Sequence, residues 1–234
     1  MKNKIGLFSL TAICFILIFT SGCKKEEDNT DPIPEIEEPR VTDIDGNVYH
    51  TVTIGTQTWM LENLKVTHYR NGDPITHFTN TAQWQNLTTG AYINYDNNGL
   101  NGDSYGRLYN WYAVFEGPLL APAGWHIPSK AEWQTLIDYL GGAAIAGPKL
   151  KETGTVHWVA PNATATNESG FTALPAGNCW TNFSFLGTAS YFWSSTEYTD
   201  TWAYSLLIYD NDLAFISFGE KSSGRSVRCI KDSE

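Results

Sequence analysis

The stretch "GWHIPSKAEWQTLIDYLGG", residues 124–142, contains signals for both the start and the end of a helix. Ser129 precedes Glu132 by three positions, which is the spacing of a capping box, where each side chain accepts a hydrogen bond from the other residue's backbone N–H. Apolar residues follow at helical spacing: Trp133, Leu136, Ile137 and Leu140. The final two glycines favour the left-handed conformation that ends a helix. The stretch therefore predicts a helix over residues 129–140 with one buried face.

The same stretch places His126 close to Ser129 and Glu132, so a catalytic cluster is a second interpretation. Capping gives both Ser129 and Glu132 a structural role, and we favour that interpretation. An enzyme is the alternative, with His126 and His157 as the available bases. No serine or cysteine of the chain lies in a recognised activating motif, so the sequence indicates no catalytic residues.

The N-terminus has the layout of a secretory signal. Two lysines precede an apolar run over residues 5–19, which is shorter than the roughly 20 residues that span a bilayer. Cys23 directly follows Ser-Gly and resembles the cysteine of a bacterial lipobox. This resemblance implies a signal peptide over residues 1–22 and lipid modification of Cys23, palmitate included. An uncleaved anchor helix is the alternative.

Residues 23–40 have the composition of an extended tether. Lys24 and Lys25 are followed by an acidic run, and prolines separate further acidic residues. Such a segment cannot bury a core. Its charged start resembles the signal that directs lipoproteins of the Bacteroidetes to the outer face of the outer membrane. We therefore expect a lipid-anchored protein of the outer membrane that faces the outside, with a merely solvated tether as the alternative.

Residues 41–234 are long enough for one well-buried domain. The chain has a formal net charge of −10, and nucleic acid is not an expected partner because binding it needs a basic surface. Residues 43–64 alternate apolar and polar side chains around a Gly-Thr turn and predict a hairpin. A short first helix is expected in residues 106–115, and residues 141–190 read as ordered but irregular loops. Short β-rich runs over residues 191–232 complete an α+β domain.

Tryptophan is unusually frequent, with nine residues in the chain. Four occupy periodic positions and are expected in the core: Trp59, Trp111, Trp133 and Trp193. Trp180 and Trp202 lie beside loops. Together with Tyr198 they form a candidate surface for stacking on a ligand, although a core position remains the favoured interpretation for each tryptophan.

Two polar segments could offer oxygen atoms to a ligand or to calcium. Asp210 and Asp212 lie in the first, and Asp96 and Asp103 lie in the second. Neither segment matches the EF-hand type of calcium loop, and turn formation explains both better. The sequence therefore predicts no metal site, with calcium left open.

Cys179 and Cys229 are the cysteines available for pairing, because Cys14 leaves with the signal and Cys23 carries lipid. A disulfide between them would close a loop of about fifty residues and stabilise the fold by about 4 kcal/mol. Two buried free thiols are the alternative, and the sequence leaves both open.

Six motifs occur in one order along residues 42–232: "DIDGNVYHTVTIGTQTWMLENLKVTHYRNGDPI", "YGRLYNWYAV", "APAGWHIPSKAEWQTLIDYLGG", "ATNESGFTALPAG", "FWSST" and "GRSVRCIKD". The set resembles the Fibrobacter succinogenes major paralogous domain, which is found in lipoproteins and secreted proteins of Fibrobacter and the Bacteroidetes. "GWHIPSKAEW" and "GRSVRC" are also similar to segments of the formylglycine-generating family. That similarity implies a C-type-lectin-like fold, with two short helices packed on twisted antiparallel sheets and long irregular loops over residues 141–220.

The oxidase activity of the formylglycine-generating family does not carry over, because its reactive, copper-binding cysteine pair is missing. Only Cys229 lies near the C-terminus, and Cys179 is distant. The Glu-Pro-Asn and Trp-Asn-Asp signatures of calcium-dependent lectins are also absent. We therefore favour a non-catalytic binding or adhesion module for a glycan or protein ligand. A structural subunit of a surface complex and an enzyme of unknown type are the alternatives.

Overall fold

The computed structural model describes residues 40–115 and 117–233. The predicted signal peptide, the predicted lipidation of Cys23 and the predicted tether up to residue 39 lie outside the described residues.

The described residues alternate short helices with short strands. The strands are β1 (Arg40–Thr42), β2 (Val48–Ile54), β3 (Gln57–Met60), β4 (Thr76–His77), β5 (Ala91–Ile93), β6 (Leu108–Tyr109), β7 (Trp125–His126), β8 (Ala176–Cys179), β9 (Phe183–Leu186), β10 (Ala189–Glu197), β11 (Trp202–Tyr209), β12 (Ala214–Glu220) and β13 (Ile230–Lys231). The helices are α1 (Thr81–Trp84), α2 (Gly99–Tyr105), α3 (Trp111–Phe115), α4 (Gly117–Leu120), α5 (Lys130–Tyr139) and α6 (Ala143–Leu150), with a 3-10 turn at Tyr95–Asn97.

The strands form three sheets. The first has the order β1-β2-β3-β13-β7, so the predicted N-terminal hairpin lies beside the last strand of the chain. The second has the order β12-β11-β10-β8-β9, in which β10, β11 and β12 pair antiparallel as a meander. The third consists of β4, β5 and β6. Mixed helices and mainly antiparallel sheets confirm the α+β class.

Helix α5 begins with the predicted capping box. The Oγ of Ser129 accepts from the backbone N–H of Glu132 at 3.2 Å, and Glu132 Oε2 accepts from the N–H of Ser129 at 2.7 Å. Trp133, Leu136 and Ile137 are buried on one face, as the spacing predicts. The helix ends at Tyr139, and the two glycines that follow have φ angles of +106° and +93°.

The helix predicted as the first one, over residues 106–115, is preceded by α1 and α2, and it begins later than the sequence predicts. Residues 106–115 were expected to be helical throughout, but Leu108 and Tyr109 form β6 and the helix starts at Trp111. Strand pairing overrides the helical spacing here, because Leu108 pairs with Ile93 and Tyr109 pairs with Tyr92.

The region 141–190 is more regular than the sequence predicts. It contains α6, β8 and β9. Helix α6 packs closely on the β11–β12 turn: a Cβ on Gly147 would lie 2.0 Å from the backbone oxygen of Asp212. Side chains hold the remaining loops in place. The indole of Trp158 donates to the carbonyl of Ala173 at 2.9 Å, and the Asn162 amide donates to two backbone carbonyls at 2.8 Å.

Tryptophan rings form the centre of the core. The four tryptophans predicted to be buried are 0–3% exposed: Trp59, Trp111, Trp133 and Trp193. Trp59 on β3 stacks on Trp133 of α5, with ring centroids 4.6 Å apart. This contact joins the N-terminal hairpin to the capped helix. Two further tryptophans, Trp84 and Trp158, are also buried.

Strand β2 buries the side chain of Tyr49 and leaves that of Val48 half exposed. Neighbouring residues of a strand point to opposite faces, so Val48 points away from the core.

Candidate ligand-binding site

Exposed aromatic side chains lie at one end of the meander formed by β10, β11 and β12. Trp202 pairs with Glu220 and Tyr204 pairs with Phe218 across β11 and β12. Residues two apart on a strand point to the same face, so these four side chains share one face of the sheet. The turn that precedes β11 is closed by Thr199, whose Oγ1 accepts from the N–H of Trp202 at 3.1 Å.

The aromatic rings contact one another at this end of the sheet. Tyr198 stacks on Phe218, with centroids 4.5 Å apart and planes 16° apart. Tyr204 contacts Tyr198 edge-on at 5.1 Å, and Trp202 contacts Phe218 edge-on at 5.7 Å. Tyr198 and Phe218 are each 46% exposed although the cluster is apolar. We call Tyr198, Trp202, Tyr204 and Phe218 the aromatic platform.

A cleft of about 200 Å³ opens beside the platform and is called the aromatic cleft below. Trp180, Trp202 and Phe218 line its walls, and Glu220 lines it as well. Trp180 is 43% exposed, and its indole N–H donates to Glu220 Oε2 at 3.0 Å. The structure therefore brings Trp180 and Trp202, two of the predicted ligand-binding residues, to one cleft, with Tyr198 close by on the platform.

Arg225 also lines the aromatic cleft, and sequence reasoning missed it. The side chain is buried, and its Nη1 donates to Ser205 Oγ at 2.5 Å. Its guanidinium carbon lies 4.5 Å from the ring centroid of Trp193. The motif "GRSVRC" includes this arginine, but the motif alone does not indicate which face of the fold the side chain reaches. Sequence reasoning also missed Phe218 and Glu220. These two residues reach the cleft through the pairing of β12 with β11, which the sequence alone does not reveal.

Asp210 and Asp212 lie at the opposite end of β11, in the turn to β12, and do not join the aromatic cleft. Asp212 has a φ angle of +71°, and its carboxylate accepts from the ammonium group of Lys151 at 2.5 Å. Asp210 is exposed, and its backbone carbonyl accepts a weaker hydrogen bond from the same ammonium at 3.4 Å. Asp210 and Asp212 therefore lie apart from Trp180 and Trp202.

In the described ranges, no group of three or more His, Cys, Asp or Glu side chains is arranged to hold a metal ion. Asp96 lies in a 3-10 turn with a φ angle of +55°, and Asp103 lies within α2. The position of Asp96 fits the predicted turn, whereas Asp103 is helical rather than part of a turn.

His126 bridges two carboxylates. Its Nε2 lies 2.8 Å from Glu132 Oε1, and its Nδ1 lies 2.7 Å from Asp232 Oδ1. Burial acts to lower the pKa of His126, but the hydrogen bonds to Asp232 and Glu132 outweigh it and raise the pKa. Ser129 donates to Glu132 at 2.8 Å, and no hydrogen bond between Ser129 and His126 occurs in the part of the chain that the structure describes. A base-activated serine needs that contact.

His157, the second candidate base, lies in a separate cleft of about 240 Å³. Its Nδ1 lies 2.8 Å from Glu152 Oε2, and its ring packs edge-on against Tyr105 at 5.3 Å. His50 lines the same cleft and pairs with Glu62 at 2.7 Å. Each imidazole is therefore paired with its own carboxylate.

Cys179 and Cys229 are free, buried thiols in the structure. They belong to different core clusters, Cys179 with Trp84 and Cys229 with Trp193, so the disulfide that the sequence left open is not present. Burial raises the pKa of Cys179 to about 12 and raises the pKa of Cys229 further. Both side chains pack as small apolar groups rather than as nucleophiles.

Comparison with known proteins identifies the family of the chain but finds no individual protein that is similar to it. The model of the Fibrobacter succinogenes major domain matches residues 52–231. No curated protein and no solved structure matches the chain. Within residues 40–115 and 117–233, no helix has the length and apolar character needed to cross a membrane.

Proposed function

Since the chain belongs to the Fibrobacter succinogenes major domain family, we propose that it is a lipid-anchored outer-membrane protein whose domain faces outside the cell and binds a glycan in the aromatic cleft. One observation carries the binding part of the proposal: Trp180, Trp202 and Phe218 line one cleft, and two of the three rings are more than two-fifths exposed. Apolar rings are normally buried, and exposed aromatic patches mark interaction sites.

The chemistry of the cleft suits a sugar better than a purely apolar ligand. Aromatic rings offer flat apolar surfaces to the C–H faces of a sugar ring, while polar groups close by fix its orientation. Glu220 can accept hydrogen bonds from sugar hydroxyls, and Asn178 can both donate and accept. The cleft is smaller than the roughly 300 Å³ of a typical drug-sized pocket, which suits one or two sugar units.

The similarity of "GWHIPSKAEW" and "GRSVRC" to the formylglycine-generating family supports a C-type-lectin-like version of the α+β fold. The two segments lie close together, because Trp125 and His126 of the first pair with Lys231 and Ile230, which directly follow the second. The proposed glycan binding does not use calcium, because Glu220 is the one acidic residue among the described residues that line the aromatic cleft.

A glycan and polysaccharide screen tests the binding proposal. The full chain, purified in detergent, is screened once with calcium and once with chelator, alongside Trp180→Ala and Trp202→Ala. Tyr139→Ala is the matched control, because Tyr139 is also an exposed aromatic residue but lies at the far end of α5. We expect binding that survives chelation, is lost in both tryptophan variants and is kept in the control. If no glycan binds, we would propose a protein partner instead. Crosslinking on intact cells would then identify that partner.

The anchoring proposal rests on the lipobox-like "SGC" that ends at Cys23 and on the charged residues that follow it. Cys23→Ala should move the protein from the membrane fraction to the soluble fraction. Protease added to intact cells should digest the wild-type domain if it faces outside. Protection from protease until the outer membrane is permeabilised would indicate a periplasmic orientation instead.

A further inference from the structure

The guanidinium of Arg225 has no acidic partner in the described part of the chain. The residue is 6% exposed and takes part in none of the ion pairs found there. Nη1 donates to the Ser205 hydroxyl, while Nε is buried without any hydrogen-bond partner. Leaving a buried cation unpaired and a buried donor unsatisfied is unfavourable, so such a group calls for an explanation.

Arg225 remains charged in this environment. Burial lowers the pKa of Arg225 to about 10, which still leaves the guanidinium protonated at neutral pH. The rings of Trp193 and Tyr191 lie 4.5 Å and 5.3 Å from the guanidinium carbon and compensate the charge in part. Aromatic faces do not replace the two parallel hydrogen bonds that a carboxylate gives to arginine.

The absence of a side chain at Gly219 leaves the space that the guanidinium of Arg225 occupies beside the cleft. A Cβ at Gly219 would lie 1.8 Å from Nη2 of Arg225, so only glycine fits at this point of β12. Gly219 and Arg225 both line the aromatic cleft, together with Trp180 and Trp202. A ligand that enters between the tryptophans therefore approaches a buried, unpaired positive charge.

We propose that the ligand is an acidic glycan, in which the carboxylate of a hexuronic acid residue pairs with Arg225 while the sugar ring stacks on Trp180 or Trp202. This inference rests on the proposed function, because it names the class of glycan that the same cleft binds. The carboxylate supplies the partner that Arg225 lacks, and a hexuronic acid also carries the hydroxyls and the apolar ring face that the rest of the cleft suits.

Glu220 does not oppose this assignment. Its carboxylate accepts the indole N–H of Trp180 at 3.0 Å, and no ion pair joins it to Arg225 within the described ranges. Sugar hydroxyls are donors, so Glu220 can orient the ring while Arg225 takes the acidic group. The two charges then select for one direction of the sugar in the cleft, since the reverse direction would place the carboxylate against Glu220.

The decisive experiment compares two ligands on the wild-type full chain in detergent. The probes are an oligogalacturonate and the same oligomer with its carboxyl groups methyl-esterified, each titrated by calorimetry in the presence of chelator. We expect the acidic oligomer to bind at least about tenfold more tightly, because the ester cannot pair with the guanidinium. Equal affinity for the two probes would overturn the inference and leave the glycan-binding proposal standing. Failure of these probes and of every neutral glycan would overturn both.

Arg225→Gln provides a second readout. This variant should lose the preference for the acidic oligomer over the methyl-esterified one, whatever its affinity for the ester. A variant that folds, judged by its near-ultraviolet circular dichroism, and keeps the preference would overturn the inference. If the variant does not fold, the inference is tested by the affinities of the wild type for the acidic and the esterified oligomer.

Discussion

Lys151 and Asp212 form an ion pair in which the lysine side chain is fully buried and the aspartate is one-quarter exposed, with 2.5 Å between Nζ and Oδ1. The pair joins the end of α6 to the β11–β12 turn. Removing one partner of such a pair leaves a buried charge without compensation, which costs about 3–5 kcal/mol.

Asp212→Asn should therefore lower the free energy of unfolding by an amount near the lower end of that range, about 3 kcal/mol, because Asp212 is partly exposed. Urea denaturation followed by tryptophan fluorescence measures the change. Asp210→Asn is the matched control, since Lys151 contacts only the backbone of Asp210, and it should change stability by less than about 0.5 kcal/mol. Equal effects of the two substitutions would contradict the structural role given to Asp212.

Ser129→Ala should remove one half of the capping box of α5. We expect a loss of about 1 kcal/mol in the free energy of unfolding, the usual cost of deleting such a cap. Glycan affinity should not change, because Ser129 lies outside the aromatic cleft. A loss of function without a loss of stability would show that the His126, Ser129 and Glu132 cluster is a functional site after all.

His126 should make stability depend on pH. Its pKa is raised in the folded state, so its contribution is fully present below the unfolded pKa of about 6.5 and is lost as pH rises through the folded pKa. The wild type should therefore lose more stability than His126→Gln when pH is raised from about 6 to about 8. Urea midpoints at the two pH values measure this difference. The same loss in both proteins would assign the pH dependence to other groups.

The thiols of Cys179 and Cys229 should not react with a thiol reagent in the native protein, because both are buried and burial raises the pKa of each. Unfolding without reductant should expose them. Cys179→Ala should then release one reactive thiol fewer than the wild type. One thiol more would mean that the two cysteines are paired in the wild type.

Features set by neighbouring residues could be predicted from the sequence. The capping box of Ser129 and Glu132 and the β2–β3 hairpin depend on contacts within a few positions, and both were confirmed. Burial of the periodic tryptophans also follows from local spacing. Helix α6 could not be predicted in the same way, because its stability comes from the close contact of Gly147 with a turn 65 positions later.

The aromatic cleft could be predicted only in part. Trp180 and Trp202 stand out in the sequence because large aromatic side chains beside loops are unusual. Glu220 reaches the same place through the pairing of β11 with β12. Arg225 reaches it because its neighbours Gly224 and Ser226 form bridges to Cys179 and Phe192. The ion pair of Asp212 could not be predicted from the sequence, because its buried partner Lys151 lies 61 positions earlier.

The most direct test of the central claim is a calorimetric titration of the best glycan from the screen into wild type, Trp180→Ala, Trp202→Ala and Tyr139→Ala, all in chelator. The account predicts that Kd rises at least about tenfold, about 1.4 kcal/mol, in both cleft variants and stays unchanged in the Tyr139 control. Wild-type affinity in both cleft variants would show that the glycan binds elsewhere and would contradict the account.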